Sequence, residues 1–226
     1  MSSEPLSGGR GADGLWPASD YEKMGMGKQN LFVIYNALPF VLGSPGLLFG
    51  LVALFVVTPS DVLDEKLELI KHYGLAPIYF ILFAFQVTFT MLNANLGTAR
   101  RPTRVNVPDQ HVYRVYGSSA DQAMVLMNDE GDFGKFNRAQ RALANFEESL
   151  PLLIAQVLAA AFVFPWTTFM VVVLLGVCRT KGAIDYTTER TKRMTGNMAA
   201  NALGSCVTTV NLMIGLAALT AKKPVA

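Results

Sequence analysis

Residues 136–151, FNRAQRALANFEESLP, decide how this chain folds. Four polar side chains in this stretch are spaced three, four and three residues apart: Arg138, Arg141, Asn145 and Glu148. On an α-helix this spacing places all four on one stripe. An apolar run begins at Ser149, so the stripe stands at the entrance of a membrane helix. In hydrocarbon such groups cost on the order of several kcal/mol each unless they face a polar cavity or one another. The stretch predicts a polar site; the alternative is a solvated helix end just outside the bilayer.

The composition is that of a membrane protein. Hydrophobic residues make up 51% of the chain and charged residues 16%, against about a quarter charged in an average soluble domain. Four intervals without Lys, Arg, Asp or Glu exceed the ~20 residues that a helix needs to cross the hydrocarbon core; they are residues 31–60, 73–99, 149–178 and 195–221. The net charge of +2 and the lack of a basic tract argue against a nucleic-acid partner.

Histidine and cysteine are too sparse to indicate a metal site. The histidines are His72 and His111, the cysteines are Cys178 and Cys206, and no Cys-x-x-Cys occurs. A zinc or iron–sulfur centre needs several such ligands at close spacing. We therefore expect no metal.

Apolar runs and turn formers divide the chain into four parts. Residues 1–30 are rich in Gly, Ser, Pro and charge and are predicted to be disordered. Residues 31–72 form an extra hydrophobic segment and an amphipathic connector; because prolines interrupt the segment, either a kinked span or an interfacial segment followed by a helix is possible. Residues 73–221 form a four-helix transmembrane domain, and residues 222–226 are a tail. The helices of the transmembrane domain are predicted at residues 73–99, 137–163, 167–193 and 198–219.

A second helix enters the membrane from the same side with a polar stripe of its own. Its members are spaced three, four, four and three residues apart: Arg179, Gly182, Tyr186, Arg190 and Arg193. The loops after the second and fourth predicted helices hold 12 of the 19 Lys and Arg if Arg138, Arg141 and Arg179 at the flanking helix ends are included. We therefore expect residues 100–136 and 180–196 to face the cytosol. Arginine binds carboxylates in bidentate fashion, and a glutamate can take an ammonium group. The stripes predict a site for a small anion with carboxylates and an ammonium; the alternative is a set of ion pairs between helices, with surplus arginines on lipid phosphates.

These residues resemble the MAPEG family, membrane-associated proteins of eicosanoid and glutathione metabolism. The resemblance lies in the pattern Phe136-x-Arg138-x-x-Arg141-Ala142-x-x-Asn145-x-x-Glu148-x-x-Pro151, followed by Arg179, Tyr186 and Arg193. A weaker match, Ala99-Arg100-Arg101, is similar to the end of the family's first helix. The resemblance covers residues 73–221. It implies an all-α integral membrane protein: a MAPEG-like four-helix bundle, here with an additional N-terminal hydrophobic helix, assembled as a homotrimer with glutathione between subunits.

The resemblance also implies an activity. The chain is expected to be a glutathione transferase or glutathione-dependent peroxidase acting on a hydrophobic, lipid-like electrophile, in the endoplasmic reticulum or another organelle membrane. The residues that match the family's glutathione ligands are Arg141, Asn145 and Glu148, helped by Arg100, Arg179 and Tyr186. Arg193 is expected beside the sulfur, where a guanidinium lowers the pKa of a thiol from about 8.5. Arg138 and Arg190 share the stripes and complete the expected glutathione-binding set.

Three departures from the family pattern leave a second interpretation open. Ser149 and Gly182 stand where a leukotriene-synthesising member of the family has tyrosines, and residues 31–58 have no counterpart in four-helix members. The alternative is a non-catalytic MAPEG-like protein that binds lipid or serves as an accessory subunit of a larger membrane complex. A transporter ranks third, because no inverted repeat is evident.

Overall fold

Seven α-helices and one β-hairpin make up the part of the chain that the computed structural model describes, residues 10, 11, 13–117 and 123–220. The first three helices are α1 (Asp20–Lys23), α2 (Leu31–Val52), which continues as a π-helical turn over Ala53–Val57, and α3 (Ser60–His72). Helix α4 (Ala76–Arg100) ends in a 3-10 turn, Arg101–Thr103. The hairpin pairs β1 (Tyr113–Tyr116) with β2 (Met124–Met127) in antiparallel register. Then come α5 (Gly131–Val163), α6 (Pro165–Thr188), a 3-10 turn (Arg190–Arg193) and α7 (Met194–Thr220).

Helices α4, α5, α6 and α7 form a bundle, and α2 packs mainly against α4. The core lies where α4, α5 and α6 meet, with Ile81, Phe136, Phe146 and Leu175 almost fully buried. One buried polar contact joins α4 to α6: the Asn95 amide donates to Thr187 Oγ1 at 2.9 Å.

Within the described residues, five helices are long and apolar enough to cross a membrane, namely α2, α4, α5, α6 and α7. Their outward faces carry large exposed apolar side chains, for example Phe49, Leu152 and Leu219. In water such faces would promote aggregation, but in lipid they are the expected protein surface. The prediction of an all-α integral membrane protein is confirmed.

Helix α2 runs through Pro39 and Pro45 without breaking, so the structure agrees with a span, one of the two predicted forms. The structure differs from the predicted elements at two places. Helix α5 starts at Gly131 rather than at residue 137, because Asn128 Oδ1 accepts from the Glu130 backbone N–H and turns the chain into the helix. Helix α6 ends at Thr188 rather than at residue 193.

The N-terminal segment also differs from the predicted disorder over the residues that the structure describes. We call residues 13–30 the N-terminal strap. Its Tyr21 is buried against α4, and Asp13 forms an ion pair with Arg104 at 2.7 Å. The Arg101 guanidinium donates to three strap carbonyls, those of Met26, Gly27 and Gln29. Specific partners in the turn after α4 order this segment despite its polar composition; residues 1–9 lie outside the described part.

Candidate functional site

The break at the end of α6 shapes the candidate site. Glu189 is extended, with φ −148° and ψ 130°, so the helix stops at Thr188 and the chain makes a short turn before α7. The prediction of one continuous stripe from Arg179 to Arg193 is therefore wrong. Arg190 and Arg193 lie on the separate 3-10 turn, and their position is set by the turn rather than by the helical period of α6.

Arg138 explains why α6 can end there. Its Nε donates to the Tyr186 carbonyl at 3.0 Å, and its Nη2 donates to the Thr187 carbonyl at 3.1 Å. Its Nη1 donates to the backbone carbonyl and the carboxylate of Asp129, at 2.9 and 3.1 Å. The last carbonyls of a helix lack intrahelical partners, and a guanidinium is a suitable donor for them. Arg138, expected as a glutathione ligand, thus uses most of its five N–H groups on protein.

A groove of about 490 Å³ opens beside Arg138 and the end of α6. Arg193 lies in it with its guanidinium carbon 5.4 Å from the centroid of the Tyr186 ring, a cation–π distance. Arg190 lines the same groove and pairs with Asp129 at 3.1 Å, with 77% of its side chain exposed. The structure therefore brings together four of the expected site residues, Arg138, Tyr186, Arg190 and Arg193.

The remaining members of the α5 stripe lie on a face that nothing in the described protomer covers. Arg141 and Glu148 are exposed and Asn145 is half-buried, and none of the three side chains hydrogen-bonds to another described residue. Arg141 is only about 60° around the helix from Arg138, yet the two arginines have opposite environments. The uncovered face continues into the membrane through exposed apolar residues: Leu152, Ala155, Ala159 and Phe162.

His111, in the loop before β1, lies close enough to this stripe to be affected by it. The side chain is half-buried. Burial lowers the pKa of His111, and the nearby Arg141 guanidinium lowers that pKa further. A positive field of this kind favours bound anions.

Arg179 and Gly182 are turned toward α7. The Arg179 Nη2 donates to Asn201 Oδ1 at 3.0 Å, and its Nε is buried without a partner among the described residues. A Cβ atom at Gly182 would lie 3.0 Å from the Asn197 backbone nitrogen, and one at Gly196 would lie 2.5 Å from the Gly182 Cα. Glycine is required at position 196; a Cβ atom at position 182 would crowd the Asn197 backbone, and a tyrosine there has no room.

Arg100 lies on the other side of α5 from the groove. It stacks over the Phe136 ring at 4.8 Å and donates to Gln140 at 3.4 Å. Gln140 and Arg138 are two positions apart, or ~200° around the helix. Within one protomer Arg100 is therefore not brought to Arg193.

Sequence reasoning missed Asp129 and the hairpin as parts of the site. Asp129 holds both Arg138 and Arg190, while Leu126 and Met127 form an apolar wall of the groove. The signal available was the pair Asn128-Asp129, which is typical of a helix start and here precedes α5.

A comparison with family models identifies the domain that carries these features. The model described as "MAPEG family" matches residues 78–219, more than half of the chain. The chain belongs to the MAPEG family. The MAPEG match runs from α4 to α7 and leaves α2 outside, so the additional N-terminal hydrophobic helix precedes the family bundle. No curated protein and no solved structure matches this MAPEG chain.

Proposed function

We propose that this MAPEG protein is a membrane-bound glutathione transferase or glutathione-dependent peroxidase that acts on a hydrophobic electrophile. The observation that carries the proposal is the uncovered stripe of Arg141, Asn145 and Glu148, next to the groove that holds Tyr186 and Arg193. A guanidinium, an amide and a carboxylate without protein partners in the described chain, at the mouth of a membrane bundle, suit a polar ligand far better than lipid.

Glutathione has the chemistry that this stripe requires. It carries two carboxylates, one ammonium and two amides. Arg141 offers a bidentate contact to a carboxylate, Glu148 offers a partner for the ammonium, and Asn145 offers both a donor and an acceptor for an amide.

The uncovered face of α5 supports an oligomer, which we propose to be the homotrimer that the family resemblance implies. A tripeptide bound only to an open face would remain largely in solvent, where single ion pairs contribute little. We propose that a neighbouring copy covers this face and encloses the ligand. Because soluble glutathione must reach the site, we also propose that residues 100–136 and 180–196 face the cytosol.

Arg193 is the proposed thiol activator. A thiol titrates near pH 8.5, and an adjacent guanidinium stabilises the thiolate, so more of the nucleophile is present at neutral pH. In conjugation the thiolate sulfur forms a bond to an electrophilic carbon, the leaving group departs with its electron pair, and the thiol proton passes to solvent. In peroxide reduction the thiolate attacks the terminal peroxide oxygen, the O–O bond breaks to give the alcohol, and a second glutathione converts the sulfenic acid to disulfide and water.

The contacts of the other arginines suggest different tasks. Arg138 clamps α6, Arg179 bonds to α7, and Arg190 is paired with Asp129 at the rim of the groove. We leave Arg138 and Arg179 out of the proposed ligand set and keep Arg190 as a groove residue.

The test is an assay of the purified protein with glutathione and either a halonitroarene or a fatty-acid hydroperoxide. Arg193→Ala should lower kcat by about 100-fold, the loss seen when one charge-stabilising donor is removed, with little change in glutathione affinity. Lys192→Ala, which removes an exposed lysine paired with Glu189 on the same turn, is the matched control and should change kcat little. Activity that Arg193→Ala leaves intact would refute the assigned role.

Calorimetry separates this proposal from the non-catalytic alternative. The titration uses wild-type protein and the Arg141→Gln variant in detergent. Binding heat with glutathione that Arg141→Gln abolishes supports the proposed site. No heat at millimolar glutathione would favour a lipid-binding or accessory protein instead.

A further inference from the structure

Helix α3 (Ser60–His72) connects the membrane-spanning helices α2 and α4, and none of its residues is buried against the described part of the chain. Its Leu67 side chain, for example, is 50% exposed. The helix also lies outside the residues that match the family model, which begin at residue 78. An apolar helix face that the bundle leaves open indicates contact with a partner or with lipid.

The sequence of α3 separates apolar from acidic side chains. Leu63, Leu67 and Ile70 are spaced four and three residues apart and form an apolar stripe. An acidic stripe is centred ~140° further around the helix; it consists of Asp61, Asp64, Glu65 and Glu68. Lys66 and Lys71 border the apolar stripe, each ~70° from its centre on opposite sides. This arrangement suits a helix at a membrane surface, because lysine ammonium groups reach the lipid phosphates while the carboxylates face water.

The two helix ends that α3 joins lie at the same face of the membrane. Leu31 at the start of α2 lies against Gly97 near the end of α4, since a Cβ atom at Gly97 would be 3.3 Å from Leu31 Cδ1. Midway along the same pair of helices, the ring centroids of Phe40 and Phe83 are 5.9 Å apart. Helices α2 and α4 therefore run antiparallel, and α3 lies at the membrane face opposite to Arg100.

Short connections hold both ends of α3 at this face. Thr58 and Pro59 separate it from the π-helical end of α2, and residues 73–75 separate it from α4. These connections span three and four steps between Cα atoms, which reach at most about 11 Å and about 14 Å. A helix of this length measures ~20 Å, so α3 cannot point out of the bilayer and still join α4. Pointing into the bilayer, it would place its carboxylates in hydrocarbon at high cost.

Hydrogen bonds fix the corners at both ends of α3. Gly74 is left-handed, with φ 63°, and the backbone N–H groups of Gly74 and Leu75 donate to carbonyls of the last turn of α3, at 3.0 and 2.9 Å. This is how a glycine closes a helix end. At the other corner, the backbone N–H and the hydroxyl of Thr58 both donate to the Ala53 carbonyl, at 2.9 and 2.6 Å. The chain therefore enters and leaves α3 along a defined path.

We propose that α3 is a membrane-surface helix whose partner is the lipid of the bilayer that α2 and α4 cross. The apolar stripe of Leu63, Leu67 and Ile70 lies in the boundary between head groups and acyl chains, and the acidic stripe faces water. In this position α3 anchors α2, which packs mainly against α4 alone, to the membrane surface. The proposal goes beyond the glutathione chemistry and does not rest on it, because α3 carries none of the expected glutathione ligands.

The experiment places nitroxide spin labels on α3 of the full chain in phosphatidylcholine nanodiscs, after Cys178 and Cys206 are replaced by alanine. Leu67→Cys and Glu68→Cys label neighbouring positions, one on the apolar stripe and one on the acidic stripe. Power saturation compares collisions with oxygen, which concentrates in lipid, and collisions with a water-soluble nickel chelate. We expect oxygen collisions to dominate at position 67 and nickel collisions to dominate at position 68.

Three outcomes of this comparison would overturn the proposal. Dominant nickel collisions at both positions would place α3 in water, and dominant oxygen collisions at both would place it within the hydrocarbon. Restricted access of both reagents at position 67, together with dipolar broadening between labels, would show that a second copy of the chain covers the apolar stripe.

A charge substitution tests the apolar stripe directly. With the label at position 63, introduced as Leu63→Cys, Leu67→Glu should raise the nickel collision rate because a carboxylate resists the lipid boundary. Glu68→Gln, which alters the acidic stripe, is the matched control and should leave the label exposed to lipid. Neither substitution removes a buried side chain, and far-UV circular dichroism checks that the bundle stays folded. An unchanged collision rate in the folded Leu67→Glu variant would also overturn the proposal.

Discussion

Replacing Arg138 by glutamine should lower the free energy of unfolding without removing a ligand contact. Arg138 is only 9% exposed, and its guanidinium joins the end of α6 to the residues just before α5. Glutamine keeps a polar side chain but cannot reach the carbonyls of Tyr186, Thr187 and Asp129 together. The last turn of α6 then loses its donors, and the Asp129 carboxylate loses a partner.

The magnitude follows from those contacts. A hydrogen bond to a charged group contributes about 1.5–3 kcal/mol. The Asp129 side chain is 44% exposed and keeps Arg190 as a partner, so the loss of its ion pair with Arg138 adds little. Some of the carbonyls freed by the substitution regain water at the membrane interface. We therefore expect the free energy of unfolding to fall by about 3 kcal/mol, the upper end of that range.

The assay compares Arg138→Gln with Arg141→Gln on the same helix. Unfolding is followed by far-UV circular dichroism in mixed micelles, and glutathione affinity by calorimetry on the folded fraction. Arg141→Gln, which removes an exposed arginine, should change stability by less than about 0.5 kcal/mol but weaken glutathione binding about tenfold or more. Arg138→Gln should lower the free energy of unfolding and leave the affinity for glutathione unchanged. If Arg138→Gln keeps its stability but loses glutathione affinity, Arg138 does not stabilise the end of α6 and belongs to the glutathione ligands.

Two further predictions concern the crossing of α6 on α7 and the loop before β1. Gly182→Ala should lower the free energy of unfolding by about 1–3 kcal/mol, because the new Cβ would crowd the backbone of Asn197. Gly204→Ala, where nothing lies within 4 Å of the added atom, should be neutral or slightly stabilising in the same unfolding titration; equal effects would refute the close crossing. Burial and Arg141 hold the pKa of His111 below its ordinary value of 6.5. Below about pH 6.5 the unfolded chain therefore binds more protons than the folded chain. As a result, the free energy of unfolding falls as the pH is lowered. His111→Gln should lose less stability than wild type between about pH 7.5 and about pH 5.5; identical losses in chemical denaturation would remove His111 as a cause.

The membrane helices were accessible from sequence because their signal is local. An uncharged interval longer than a bilayer crossing is rare in a soluble domain, so α4 to α7 could be located from the sequence, with their ends placed to within about six residues. The C-terminal end of α6 could not be located from the sequence. The polar spacing of the predicted stripe continues unbroken from Tyr186 through Arg190 to Arg193, with no glycine or proline between them. What ends the helix is Arg138, a tertiary partner some fifty residues earlier in the chain.

The same limit applies to the polar stripe of α5. Arg138 and Arg141 are identical in residue type and adjacent on a helical stripe, so spacing alone gives them one role. Their environments differ because the end of α6 covers one and leaves the other exposed. The order of the N-terminal strap is a similar case, since it depends on Arg101 and Asn106 rather than on local composition.

The extended residue at Glu189 also bears on how this protein can diverge. On an unbroken helix each inserted residue would rotate Arg193 by ~100° and raise it by about 1.5 Å relative to the bilayer. On a short turn outside the helix, the same insertion changes only the reach of one guanidinium and leaves the transmembrane register of α6 untouched. Lengthening or shortening this turn therefore moves Arg193 while the membrane-embedded packing stays as it is.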